Sequence, residues 1–241
     1  MSVGIDPLSA KSKICNFDCV YCQLGKTAHF VTERKEFISV RDLMREVAAF
    51  NSEQIDHWTF SGRGEPTLAK NLGEMIKALR DIRDEKIAVI TNASLMHRRD
   101  VQKDLSLADC VLAKLDASSQ KSFETVGQTP QEMKLASIVE GIWEFRQSFK
   151  GKLALQIMFI EQNKKYASSI AQIARDIHPD EVQLNTPLRA CAVKPLSVDE
   201  MNEIRVCFQG LPTVSVYDKE IKNIGSMNLE TTVARHGFYG D

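Results

Sequence analysis

No apolar run in this chain approaches the ~20 residues needed to span a bilayer, and its first residues carry no apolar signal core. A membrane partner is therefore not expected, and the location implied is cytoplasmic. An excess of one charge is missing too. The 31 Lys and Arg stand against 32 Asp and Glu, a formal charge of −1, which supplies no bulk attraction to nucleic acid or anionic lipid. The five histidines, His29, His57, His97, His178 and His236, show no paired metal-site spacing. Neither a serine-histidine-acid arrangement nor a phosphate-binding glycine loop stands out. Low-complexity stretches are absent, and 43% hydrophobic residues in 241 positions suit one folded α/β domain with a sizeable core. Six cysteines are too few for a disulfide scaffold at this length. Three of them crowd into positions 15–22, which points to a metal.

What is present alternates. Short β-rich runs at 3–5, 58–61, 87–91, 111–116, 153–160 and 182–185 are separated by helical patterns. Ser39 with Asp42 three residues on predicts a helix start, continued by Leu43, Val47 and Phe50. Leu72, Met75, Ile76, Leu79 and Ile82 form one apolar stripe, Leu135, Ile138, Ile142, Phe145 and Phe149 a second, and Tyr166, Ile170, Ile173 and Ile177 a third. Ser197 and Glu200 open a capping box before Met201, Ile204 and Phe208. Strand followed by helix, six times over, predicts an α/β fold: a parallel, incomplete (β/α)6 TIM-like barrel at 1–211. A run at Val214 to Tyr217 and a Gly- and Asn-containing tail make up a C-terminal extension, 212–241.

Cys15, Cys19 and Cys22 form a C-x3-C-x2-C pattern, three thiolates on one loop. A structural zinc site closes with four ligands, and an electron-transfer cubane normally takes four cysteines, so three leave one iron open. A zinc knuckle completed from elsewhere in the chain, or a non-catalytic iron-sulfur protein, is the alternative. Cys110, Cys191 and Cys207 are widely spaced and are expected to be buried thiols rather than a second cluster. Arg189 and Lys194 flank Cys191 just past the sixth strand, where a loop charge can meet an anionic substrate or simply be solvated.

With Tyr21 before its last cysteine, this pattern resembles the radical SAM superfamily. In that family the cysteines hold a 4Fe-4S cluster whose open iron binds S-adenosylmethionine. Reductive cleavage then gives a 5'-deoxyadenosyl radical. The segment FSGRGEPT follows the second strand, at the barrel end that carries chemistry. Gly64 and Glu65 resemble the family's Gly-Gly-Glu motif, which implies contact with the methionyl amino group, while Arg63 replaces the first glycine. Read alone, the segment is a turn into a capped helix. Thr91 and Asn92 close the third strand and resemble the family's Thr-Asn element, although Asn is also an ordinary turn residue. The resemblance implies ribose contact for Asp116, which otherwise pairs with Lys114 on the same strand face. Gln156 interrupts an apolar run, and its amide either faces the polar centre of the barrel, on the cofactor side, or is satisfied by neighbouring strands. Asn185 ends the sixth strand, where the resemblance implies that backbone meets adenine. The whole pattern, DPLxxKxxCNFDCVYCQLG with SGxGEPT and QLNTP, is similar to an uncharacterised iron-sulfur oxidoreductase group related to wybutosine-synthesis enzymes. It implies a flavodoxin- or ferredoxin-type electron donor and a substrate that is a small molecule, a peptide or a tRNA.

Overall fold

The computed structural model describes residues 1–27, 30–50, 55–130 and 132–218. His29, His236 and the tail from residue 219 lie outside them. Seven strands form one sheet in the order of the chain: β1 (Ser2–Ile5), β2 (His57–Phe60), β3 (Lys86–Thr91), β4 (Cys110–Lys114), β5 (Lys152–Met158), β6 (Glu181–Asn185) and β7 (Thr213–Ser215). Every neighbouring pair is parallel. Among the described residues nothing joins β7 to β1, so the sheet is an unclosed α/β barrel. Six strands were expected. The seventh falls past residue 211, where the barrel was expected to end, and three residues are too short for period-2 alternation to register.

The helices are α1 (Val40–Ala48), α2 (Leu72–Arg80), α3 (Arg99–Leu105), α4 (Gln120–Gly127), α5 (Leu135–Ser148), α6 (Ala167–Ile177) and α7 (Val198–Cys207). Their apolar stripes cover one face of the sheet, where Trp58, Phe60, Ile87, Val89, Val111, Leu153, Leu155 and Val182 are almost wholly buried. Each such large side chain removed from water contributes roughly 1.5–3 kcal/mol. The opposite face is only half-buried and more polar in β4 to β6, with Lys114, Gln156, Gln183 and Asn185 alternating with core residues. Chain-end signals hold locally. Ser39 accepts the Asp42 N–H at 3.1 Å, and Ser197 and Glu200 form the expected capping box. Ile82 is 49% exposed, because α2 ends before it.

Candidate metal centre

The cysteine loop follows β1 and is fastened to the sheet's C-terminal end at several points. Ile14 donates its N–H to the Arg63 carbonyl at 2.9 Å, and its own carbonyl accepts the Glu65 N–H at 3.0 Å. Gly64 makes that approach possible, since a Cβ there would lie 1.5 Å from the Ile14 oxygen. Gly62 adopts a left-handed φ of 68°, whereas Arg63 is not left-handed, so the arginine in place of the motif's first glycine imposes no such backbone strain. Farther along, Asp18 and Val20 donate their N–H groups to the Gly127 and Val126 carbonyls at 2.9 and 3.0 Å, at the end of α4. Asp18 accepts the Thr27 N–H at 2.6 Å and the Lys13 ammonium at 3.3 Å. Lys13 also donates to the Gly25 carbonyl at 3.1 Å.

This bracing gathers Cys15, Cys19, Cys22 and Tyr21 around one cavity of about 260 Å³, with Gly64 and Glu65 from the loop after β2 and Asn92 from the end of β3. Thr91, Lys114 and Met158 complete its strand-end wall. Burial pushes the Cys15 thiol up to about 11 and the Cys19 thiol up to about 12. The Phe17 N–H at 3.4 Å and the Asn92 amide at 3.8 Å both donate to the Cys15 sulfur. Burial alone lowers the Lys13 pKa, but the charges of Cys22 and Cys15 raise it further and the net direction is upward. Among the described residues no three His, Cys, Asp or Glu side chains converge as the ligands of a single ion would. Three thiols that each bind a different iron of a cubane have no need to meet at one point.

Glu65 is 1% exposed, and burial raises its pKa against four opposing hydrogen bonds. One carboxylate oxygen accepts from the Thr67 N–H, the Thr67 hydroxyl and the Thr91 hydroxyl at 3.0, 2.6 and 2.7 Å, and the other from the Asn92 N–H at 2.6 Å. The side chain thereby ties the loop after β2 to the end of β3. Only the second oxygen retains capacity for another donor. Asp116 lies two residues past β4. Its carboxylate accepts the Tyr21 hydroxyl and, at 2.7 Å, the Met158 N–H, and Lys114 stands 3.7 Å away. The expected Lys114–Asp116 pair is thus present, with Tyr21 added. Gln156 donates to the Gln183 amide at 3.1 Å, and the Asn185 carbonyl accepts the Phe159 N–H at 2.7 Å. Asp116, Gln156 and Asn185 do not line the cysteine cavity.

Sequence reasoning passed over Lys13 and Asn16. Asn16, 1% exposed, accepts from the Asn92 amide and donates to the Ser94 hydroxyl, both at 2.7 Å. Its position inside the CNFDC run was the available signal. Cys191 donates to the Val193 carbonyl at 3.2 Å and lines a second cavity of about 480 Å³ that backs onto Cys19 and Cys22. Cys110 and Cys207 are half-buried free thiols.

Residues 10–151, which hold the cysteine loop and strands β2 to β4, match the model of the Radical SAM superfamily. The chain belongs to the radical SAM superfamily. It is a radical SAM enzyme, and membership implies S-adenosylmethionine and an iron-sulfur cluster as cofactors, with a reductant and a substrate as partners. A UPF0026 protein from Synechocystis is 39% identical over 196 residues, 81% of this chain and 72% of that one. A UPF0026 protein from Methanocaldococcus jannaschii is 36% identical over 217 residues, 86% and 67% of the two chains. A Brachyspira hyodysenteriae protein named GTPase Obg is 34% identical over 96% of this chain, which spans only 36% of its length.

Solved radical SAM structures share the fold at low identity. SuiB from Streptococcus suis, bound to its precursor peptide SuiA, superposes with a TM-score of 0.67 at 13% identity, covering 89% of this chain and 48% of that one. TYW1 with a lysine-pyruvate adduct bound gives 0.67 at 16%, covering 83% and 71%. The wybutosine-synthesis likeness read from the sequence motifs therefore extends to the fold. No helix among the described residues is long and apolar enough to cross a membrane.

Proposed function

We propose that Cys15, Cys19 and Cys22 each hold one iron of a 4Fe-4S cluster, and that the enzyme cleaves S-adenosylmethionine reductively at the fourth. The carrying observation is the single cavity that takes all three thiols together with Gly64, Glu65 and Asn92. The donor set fits the group: three soft thiols from one loop line one cavity. When bound, the pair supplies one electron to the sulfonium and a 5'-deoxyadenosyl radical to the substrate.

The chain's own residues bind and orient. At the Cys15 sulfur the Phe17 N–H partly offsets the burial that raises the thiol's pKa. The loop at Gly64 and Glu65 offers backbone acceptors and the spare carboxylate oxygen to the methionyl ammonium. Asn92 and Asp116 stand on the ribose side, with Asp116 acting mainly by holding the Tyr21 ring. Gln156 faces the polar centre of the barrel, and the backbone at Asn185, at the end of the sixth strand, meets the adenine. A flavodoxin- or ferredoxin-type protein is the reductant in this reading, and the substrate is a small molecule, a peptide or a tRNA.

The test is anaerobic reconstitution followed by S-adenosylmethionine and dithionite. The expected result is about four irons per chain and slow release of 5'-deoxyadenosine. Cys19→Ala abolishes both. One zinc per chain, or an intact cluster that S-adenosylmethionine leaves spectroscopically unchanged, overturns the reading.

A further inference from the structure

Among the described residues the sheet has two edges, β1 and β7, and the β1 edge opens onto a groove. Among the described residues β1 pairs with β2 alone. That ladder takes up the odd positions: the Met1 carbonyl accepts the Asp56 N–H at 2.8 Å and the Ile5 carbonyl accepts the Ser61 N–H at 3.1 Å. Successive residues of a strand turn their backbone groups to opposite sides, so those of Ser2 and Gly4 face outward, and both residues are exposed. A sheet edge is ordinarily guarded by charge or proline, and Ser-Val-Gly-Ile carries neither.

A groove of about 500 Å³ runs along this edge, lined by all four residues of β1 and by Leu43, Glu46 and Val47 of α1. Phe50 and Trp58 line it as well, their rings edge-to-face at 5.8 Å. Asp6, Ser9, Ala10 and Lys11 from the loop after β1 and Arg63 from the loop after β2 complete the lining, the Asp6 carboxylate already accepting the Leu8 N–H at 3.0 Å. Arg63 gives its Nη1 to the Lys11 carbonyl at 2.7 Å, but its Nη2 is buried with no partner. A buried guanidinium nitrogen without an acceptor is rare in a settled structure and calls for one from outside.

We propose that this groove binds an extended peptide as an added strand on β1, with an acidic side chain of the peptide on Arg63. Only another backbone matches the alternating donors and acceptors of a strand edge. The apolar lining suits its alternate side chains, and the unpaired Arg63 Nη2, which a turn of the half-buried side chain brings to the groove surface, suits a carboxylate. Four residues of strand span ~13 Å, so the site takes about five residues of peptide. A second copy of β1 fits less well, because Ser2–Ile5 holds no carboxylate and Asp6, just past it, already accepts the Leu8 N–H. Gly62 and Gly64, either side of Arg63, line the cysteine cavity, so a peptide docked here passes beside the metal centre. Binding requires neither cluster nor S-adenosylmethionine, so its failure leaves the proposed chemistry intact, and the reverse.

The test is fluorescence anisotropy of the full chain with a labelled, end-blocked hexapeptide, Ser-Val-Glu-Val-Thr-Lys. Binding is expected, weakened roughly tenfold or more when the peptide's Glu becomes Gln. N-methylation of alternate peptide amides abolishes it. Arg63→Gln removes the preference for Glu over Gln, and Glu46→Arg, at an exposed helix position, tightens the Glu peptide. The last variant and the two altered peptides decide the matter should Arg63→Gln not fold. Equal affinity for the Glu and Gln peptides, undiminished binding of the N-methylated one, no binding near millimolar concentration, or a dimer in sedimentation that the peptide does not dissociate would each overturn the proposal.

Discussion

Gly64 illustrates how a residue can be legible as a motif while its reason is not. The sequence suggests a glycine that lets a ligand approach; the geometry adds that the Ile14 carbonyl already occupies the space a side chain would need. Gly64→Ala should therefore push the cysteine loop off the loop after β2, at a cost of about 2–4 kcal/mol. Thermal unfolding and the iron content after reconstitution would register it together. The same distinction applies to Glu65, whose carboxylate was read as a partner for an ammonium and is largely spent on Thr67, Thr91 and Asn92. Lys13 is a different kind of case. Nothing about a lysine two residues before a cysteine marks it, yet its side chain is 4% exposed and its ammonium is anchored inside the loop. A positive charge beside the cluster favours the reduced, more negative state. Lys13→Gln should shift the cluster's midpoint potential to more negative values in an anaerobic redox titration, and an unchanged potential would count against this role.

Among elements, legibility followed apolar periodicity. The stripes of α2, α5 and α6 and the six longer strands were readable within a few residues, and both serine caps were placed correctly. α3 and α4 were missed because each is short and offers only two large apolar side chains to the core, Val101 with Leu105 and Phe123 with Val126. Contacts between elements left no trace in the sequence. Asn163, fully buried after β5, donates to the Asp116 and Met158 carbonyls at 2.9 Å each and accepts the Ile160 N–H at 2.8 Å. Asn163→Ala should cost about 2–3 kcal/mol by urea unfolding, and Asn163→Asp more, since it sets a charge against two carbonyls. At the start of α7, the Lys164 ammonium at 2.7 Å and the Ser197 N–H at 2.8 Å hold the Glu200 carboxyl down to about 2 from an ordinary 4.5. A depressed carboxyl stabilises the fold above its ordinary value and ceases to do so as pH falls through its folded one. The stability gap between wild type and Glu200→Gln should accordingly be full above pH 4.5 and close toward pH 2 in urea midpoints.

For the molecule as a whole, the parallel sheet predicts a gradient of protection. Amides in β3 to β5, flanked by strands on both sides, should exchange hydrogen slowest, and those of β1 and β7 fastest, by mass spectrometry of peptic fragments. Arg34 is one of the long-range ties that make the barrel a unit. Its side chain, 4% exposed, donates to Asp100 at 2.8 Å, to Asp104, and to the Thr67 carbonyl at 2.8 Å. The strand-helix rhythm forecast the architecture, whereas such ties, spanning up to 70 residues, are set by three-dimensional proximity alone. The fastening of the cysteine loop to β2, α4 and β4 has a further result. A zinc finger without its ion is an unfolded peptide, because the ion itself supplies the order. Here the peptide chain already supplies it, so an oxidised enzyme stripped of iron should survive as an intact shell, ready to be refilled rather than remade.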